Sequence, residues 1–131
     1  MSLKHVLYVD DEADILEVAG MCMETVGGLR VTLCNDSADA HDMILKEKPD
    51  LVLLDVMMPG MDGPTVLTHL QADAALANTP VIFMTARVQP EDVEKYMEMG
   101  VIGVIEKPFD PMNLSSKIVE FWNGRKTPRA L

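Results

Sequence analysis

The sequence predicts an α/β fold: a doubly wound, five-stranded parallel sheet of strand order 2-1-3-4-5 with helices on both faces. Three observations carry that prediction. Five short apolar runs recur along the 131 residues, stretches with helical spacing closed by Gly or Pro lie between them, and no linker, repeat or low-complexity segment divides the chain. Strictly alternating strands and helices build a parallel sheet covered on both faces. Right-handed crossovers make the doubly wound order the natural solution, with its switch point between strands 1 and 3.

His5 to Val9 (HVLYV) is the first strand and stops at Asp10-Asp11-Glu12. From Ala13 the spacing turns helical, with Ile15, Val18, Ala19 and Cys22 as the expected buried stripe and Gly27-Gly28 as the stop. Arg30 to Cys34 (RVTLC) alternates as a strand, and Asn35, Asp36 and Ser37 offer capping oxygens for a helix reaching about Glu47. Lys48-Pro49-Asp50 closes that helix. Leu51 to Leu54 is too apolar to alternate and too short for a membrane span, so it reads as a strand buried on both faces, ending at Asp55.

After the loop Met58 to Gly63, Pro64 suits a first helical turn, and Val66, Leu67 and Leu70 form a stripe through about Ala72. Val81 to Met84 is the fourth strand, ending at Thr85. A helix follows from Pro90 to about Met99, with Glu91 and Asp92 in its first turn and Gly100 at its end. Val101 to Ile105 is the fifth strand, ending in Glu106-Lys107-Pro108. Asp110-Pro111 opens the last helix, whose expected buried face is Leu114, Ile118, Phe121 and Trp122. Residues 1–124 are thus expected to form one domain, and 125–131 a tail or the start of a linker.

Composition narrows the function classes. A hydrophobic fraction of 48% supports a full core, and a net charge of -10 argues against a direct nucleic-acid partner, since such binding rests on a basic face. Arg125, Lys126 and Arg129 cluster late and read as a solvated tail. Cys22 and Cys34 lack metal or disulfide spacing, and the three His are scattered. The eleven Met are read as core filling. No apolar run approaches membrane-spanning length and no signal segment opens the chain, so a cytoplasmic protein with no membrane partner is expected.

In such a sheet the carboxyl ends of the strands meet at one edge. Strand 1 delivers Asp10 and Asp11, strand 3 Asp55, strand 4 Thr85 and strand 5 Lys107. Any one of these taken alone is a turn residue, but three carboxylates, a hydroxyl and an ammonium at one edge form a constellation. The carboxylates repel one another unless a cation sits among them, and Mg2+, a hard ion preferring oxygen ligands, suits them. A carboxylate held between a cation and a lysine is a nucleophile for phosphorus.

The set Asp10-Asp11, Asp55 with Met58-Pro59-Gly60-Met61-Asp62-Gly63, Thr85-Ala86 and Lys107-Pro108-Phe109 resembles the receiver domains of bacterial two-component response regulators, of the chemotaxis-regulator type, with a flavodoxin-like fold. The resemblance covers about Lys4 to Trp122. It implies that Asp55 accepts a phosphoryl group from a phosphohistidine on a sensor histidine kinase or a histidine phosphotransfer protein. It also implies that Asp11, Asp55 and the Met57 carbonyl bind Mg2+, with Asp10 acting through water. Lys107 would pair with the phosphoryl oxygens, Thr85 would donate a hydrogen bond to one of them, and a cis peptide would precede Pro108. Thr85 would then shift the face made by helix 4, strand 5 and helix 5, and a homodimer through that face is compatible with the family.

Two features qualify the resemblance. Val104 stands where family members usually carry a Tyr or Phe that rotates on activation, and a valine has no ring to swing. Met57 and Arg87 match sites flanking the phosphoryl group, so slow self-dephosphorylation is expected. With nine residues after Trp122, the chain is expected to be a stand-alone regulator or the receiver portion of a longer one. Competing readings fit less well. A flavodoxin-like cofactor binder wants backbone amides after strand 1 where this chain has three acids. A haloacid-dehalogenase-like hydrolase carries an Asp where this chain has Met57. An interaction module working without phosphorylation stays open as the alternative.

Overall fold

Each apolar run forms a strand in the computed structural model, which describes residues 2–125. In chain order the elements are β1 (His5–Val9), α1 (Ala13–Thr25), β2 (Arg30–Cys34), a 3-10 turn (Ser37–Asp39), α2 (Ala40–Glu47) and β3 (Leu51–Asp55). They continue with α3 (Gly63–Ala72), β4 (Val81–Thr85), α4 (Pro90–Glu98), β5 (Gly103–Glu106) and α5 (Leu114–Gly124). The strands are all parallel, in the order β2-β1-β3-β4-β5.

Alternation along β1, β3 and β4 splits the core into two layers. Val6, Tyr8, Leu51, Leu53, Ile82 and Met84 face α1 and α5. Leu7, Val9, Val52, Leu54, Val81 and Phe83 face α2, α3 and α4. β1, β3 and β4 are buried along their whole length, which is why they carry no polar alternation. Each fully buried Leu, Val or Phe contributes roughly 1.5–3 kcal/mol relative to exposure.

Caps fall where polar oxygens precede helices. Asp62 accepts from the Thr65 amide ahead of Pro64 in α3, and Asp36 accepts from the Ala38 amide. Lys48 closes α2 in the left-handed conformation at φ 49°.

Four sequence expectations need correction. Helix α1 buries Leu16, Ala19, Gly20 and Met23, whereas Val18 is 46% exposed and Ile15 and Cys22 are half-buried. The helix is apolar on two adjacent faces, so spacing alone does not select between them. Strand β5 begins at Gly103, two residues later than Val101, at a position where the Phe121 ring occupies the space a side chain would need. Asp110 caps a turn, accepting from the Met112 amide and the Asn113 side chain, and α5 starts only at Leu114. Four Met residues, 21, 57, 97 and 112, are exposed and fill no core.

Of the late basic residues, Arg125 is half-buried over the Trp122 ring, and Lys126 and Arg129 lie outside the described residues, as does the rest of the expected tail. Among the described residues no helix is long and apolar enough to cross a membrane.

Candidate functional site

Asp10, Asp11 and Asp55 converge because β1 and β3 are neighbours that end in step, Val9 pairing with Leu54. One carboxylate oxygen from each lies within 4.8 Å of the others. Their burial differs sharply. Asp10 is fully buried, Asp55 is 3% exposed and Asp11 faces solvent.

Asp10 is the electrostatic floor of the site. Its Oδ2 accepts from the Tyr8 hydroxyl and the Lys107 ammonium, both at 2.9 Å, and its Oδ1 accepts from the Glu12 amide at 2.9 Å. Tyr8 reaches it because residues two apart on a strand share a face. Burial, then the Asp10 charge and hydrogen bond, push the Tyr8 phenol well above its ordinary value, so it remains a donor.

Lys107 also lies 3.3 Å from Asp55 Oδ1 and 3.5 Å from Glu12 Oε1. Burial works against its charge, but the hydrogen bond and charge of Asp10, with Asp55 beside it, raise its pKa. Burial is also the main influence on Asp55. It raises the carboxyl from 3.8 to about 6, with the Asp10 charge adding and Lys107 opposing. Three carboxylates facing one ammonium leave the cluster two negative charges in excess.

The remaining expected residues sit around this cluster. Thr85 is 1% exposed at the end of β4, its Oγ1 accepting from the Arg87 amide at 3.0 Å. The Lys107 amide donates to the Thr85 carbonyl at 2.9 Å, tying the β5 end to the β4 end. Met57 is 68% exposed, the Arg87 side chain is exposed with no partner among the described residues, and Val104 is half-buried against the α4-side core. The Lys107–Pro108 peptide is cis.

Sequence reading did not assign three further residues. Tyr8 was legible from its position two before Asp10, and Glu12 from the acidic run. Gly63 carried no comparable signal: a Cβ there would lie 2.6 Å from the Asp55 carbonyl oxygen, so only glycine lets α3 begin against the end of β3. A broad cavity lined by Pro49, Asn78, Pro80, Ile102 and Trp122 lies at the amino ends of the strands, opposite the carboxylates.

The donor set fits a hard divalent cation. Its oxygens are close, their charge exceeds that of Lys107, and Asp11 is open to water. Asp10, already accepting three hydrogen bonds, has little capacity left for direct ligation.

Comparison with known proteins agrees with this arrangement. Phosphate regulon transcriptional regulatory protein PhoB of Pseudomonas aeruginosa is 34% identical over 115 residues, 88% of this chain and 50% of PhoB. Response regulator Rre1 of Synechocystis is 36% identical over 110 residues, 84% of this chain and 48% of Rre1. The chain therefore spans about half the length of these curated relatives. Among solved structures, chemotaxis response regulator CheY4 of Vibrio cholerae is similar with a TM-score of 0.83 at 25% identity, over 92% of this chain and 99% of that one. The family model described as the response regulator receiver domain matches residues 6–119, from the first strand into the last helix. This chain belongs to that family, the signal-receiving domains of two-component systems.

Proposed function

We propose that Asp55 accepts a phosphoryl group from a phosphohistidine on a sensor histidine kinase or a histidine phosphotransfer protein, in a reaction that requires Mg2+. The observation that carries this reading is the state of Asp55: a buried carboxylate, raised to about 6 and within 3.3 Å of Lys107, at a cluster with excess negative charge. An Asp55 oxygen attacks phosphorus, the P–N bond breaks with its electron pair passing to the histidine nitrogen, and an acyl phosphate forms. Lys107 is placed to turn from Asp10 toward the incoming phosphoryl oxygens. The Thr85 hydroxyl, which accepts from the Arg87 amide, keeps its own proton to donate. Mg2+, when bound, supplies the charge compensation that phosphoryl transfer needs. Asp11, Asp55 and the Met57 carbonyl would hold it directly and Asp10 through water.

Beside Lys107, an almost wholly apolar groove lined by Ile15, Val18, Pro108, Phe109 and Pro111 is the surface we assign to the phosphodonor. Met57 is assigned to shielding the acyl phosphate from water and Arg87 to interacting with its oxygens. We assign residues 1–124 to the receiver and 125–131 to a tail or linker. The test is intact mass after incubation with acetyl phosphate, with and without Mg2+, for wild type and Asp55→Asn. One added phosphoryl group that needs Mg2+ and is lost in the variant supports the reading. No adduct on folded wild-type protein favours an interaction module that works without phosphorylation.

A further inference from the structure

Helix α4 is held differently from the other four. Helices α1, α2, α3 and α5 each bury at least two residues, whereas α4 buries none. It leans on the sheet through half-buried side chains, and one of them, Tyr96, makes a defined ring contact. Its centroid lies 5.3 Å from that of Phe83 with the planes at 88°, an edge-to-face pair. Phe83 is fully buried on β4 and pairs in register with Val104 on β5, and Tyr96 and Val104 pack against the same core layer. A large ring on the helix thus accompanies a small aliphatic side chain on the strand.

The same strand leads to the site. Phe83 and Thr85 are two residues apart, so they share a face. Thr85 fixes the start of the following loop by accepting from the Arg87 amide, three residues before α4 begins at Pro90. Thr85 is joined to α4 by this short loop, and the Tyr96–Phe83 ring pair is a contact between that helix and β4.

We infer that Tyr96 is the conformational reporter of this receiver: the ring that changes its packing with phosphoryl occupancy stands on helix α4, and Val104 takes no such part. The inference rests on Asp55 being the phosphoacceptor. A phosphoryl oxygen that takes the Thr85 hydrogen bond draws the Thr85–Arg87 turn inward, and α4 follows by repacking Tyr96 on Phe83. Met97, 44% exposed on the same helix, moves with it, so the surface offered to a downstream partner changes.

The chain has two tyrosines, Tyr8 and Tyr96, so 3-fluorotyrosine labelling yields two 19F resonances, assigned with Tyr96→Phe. Tyr8, bonded to Asp10, reports on the site itself. Samples are treated with acetyl phosphate and Mg2+, occupancy is read by intact mass, and amide hydrogen exchange is followed over 90–98. With the phosphoryl group on, the Tyr96 resonance is expected to move and exchange in α4 to change by about fivefold or more. Tyr96→Phe retains the exchange change, while Tyr96→Leu takes the phosphoryl group but loses that change. A phosphorylated wild type with an unmoved Tyr96 resonance and unaltered α4 exchange overturns the inference, as does a full response in Tyr96→Leu. Should Tyr96→Leu unfold α4 outright, the wild-type fluorine spectrum decides. No mass gain in wild type removes the phosphoacceptor reading and this inference with it, whereas a mass gain with no Tyr96 response removes this inference alone.

Discussion

Asp55 without a cation is a carboxylate whose ionisation works against folding. Its folded pKa of about 6 exceeds the ordinary 3.8, so the native state binds the proton more tightly than the unfolded chain does. The stability it contributes is therefore fully present below 3.8 and is lost as pH rises through about 6. Asp55→Asn, neutral throughout, is expected to be more stable than wild type above that pH in Mg2+-free buffer, by on the order of 1–3 kcal/mol. The two proteins should converge toward acid. Urea titrations of both across that window check this, and equal stabilities at every pH contradict it. Lys107 has the opposite standing: Lys107→Ala leaves Asp10 buried with its hydroxyl and amide donors but no countercharge. A loss of roughly 3 kcal/mol, measured in the same way, is expected together with loss of phosphoryl uptake. Met57→Ala and Arg87→Ala are expected to shorten the phosphoryl lifetime about fivefold each, an effect of ~1 kcal/mol on the barrier, read by the decay of the mass adduct.

At the scale of elements, the junction of β3 and α3 is where packing touches chemistry. A methyl group on Gly63 meets backbone, the Asp55 carbonyl and Val56 Cα, and neither can yield like a flexible side chain. Gly63→Ala is expected to cost about 1–3 kcal/mol and to slow phosphorylation by displacing Asp55, measured by urea titration and mass uptake. Far from the site, Lys48 closes α2 at φ 49°. Lys48→Gly relieves a strained conformation and is expected to stabilise by roughly 0.5–1 kcal/mol without altering uptake. Helix α1 shows where sequence reading fails at this scale. Its apolar residues cover two adjacent faces, and the three-dimensional course of the chain puts Leu16, Ala19 and Met23 inward while leaving Val18 outside beside Lys107. The spacing that marks a core stripe also marks the outward face that lines the groove beside Lys107.

For the molecule as a whole, strand order and the meeting of Asp10, Asp11, Asp55 and Lys107 were legible because each strand ends where its apolar run ends and the topology collects those ends at one edge. What was not legible depends on distances between elements: the contact of Gly63 with Asp55 and the ring pair of Tyr96 with Phe83. Because folding is what brings the three carboxylates together, Mg2+ should stabilise the whole domain. At one hundred times its dissociation constant the gain is about 2.7 kcal/mol, and Asp11→Asn should remove most of it in thermal unfolding. The central claim, that Asp55 is the residue receiving the phosphoryl group, is tested most directly by mapping it. Protein treated with acetyl phosphate and Mg2+ is reduced with borohydride, which turns an acyl phosphate into the alcohol, and its peptides are sequenced by mass spectrometry. Homoserine at position 55, and at neither Asp10 nor Asp11, is the predicted result; reduction at either neighbour, or at none of the three in folded protein, contradicts it.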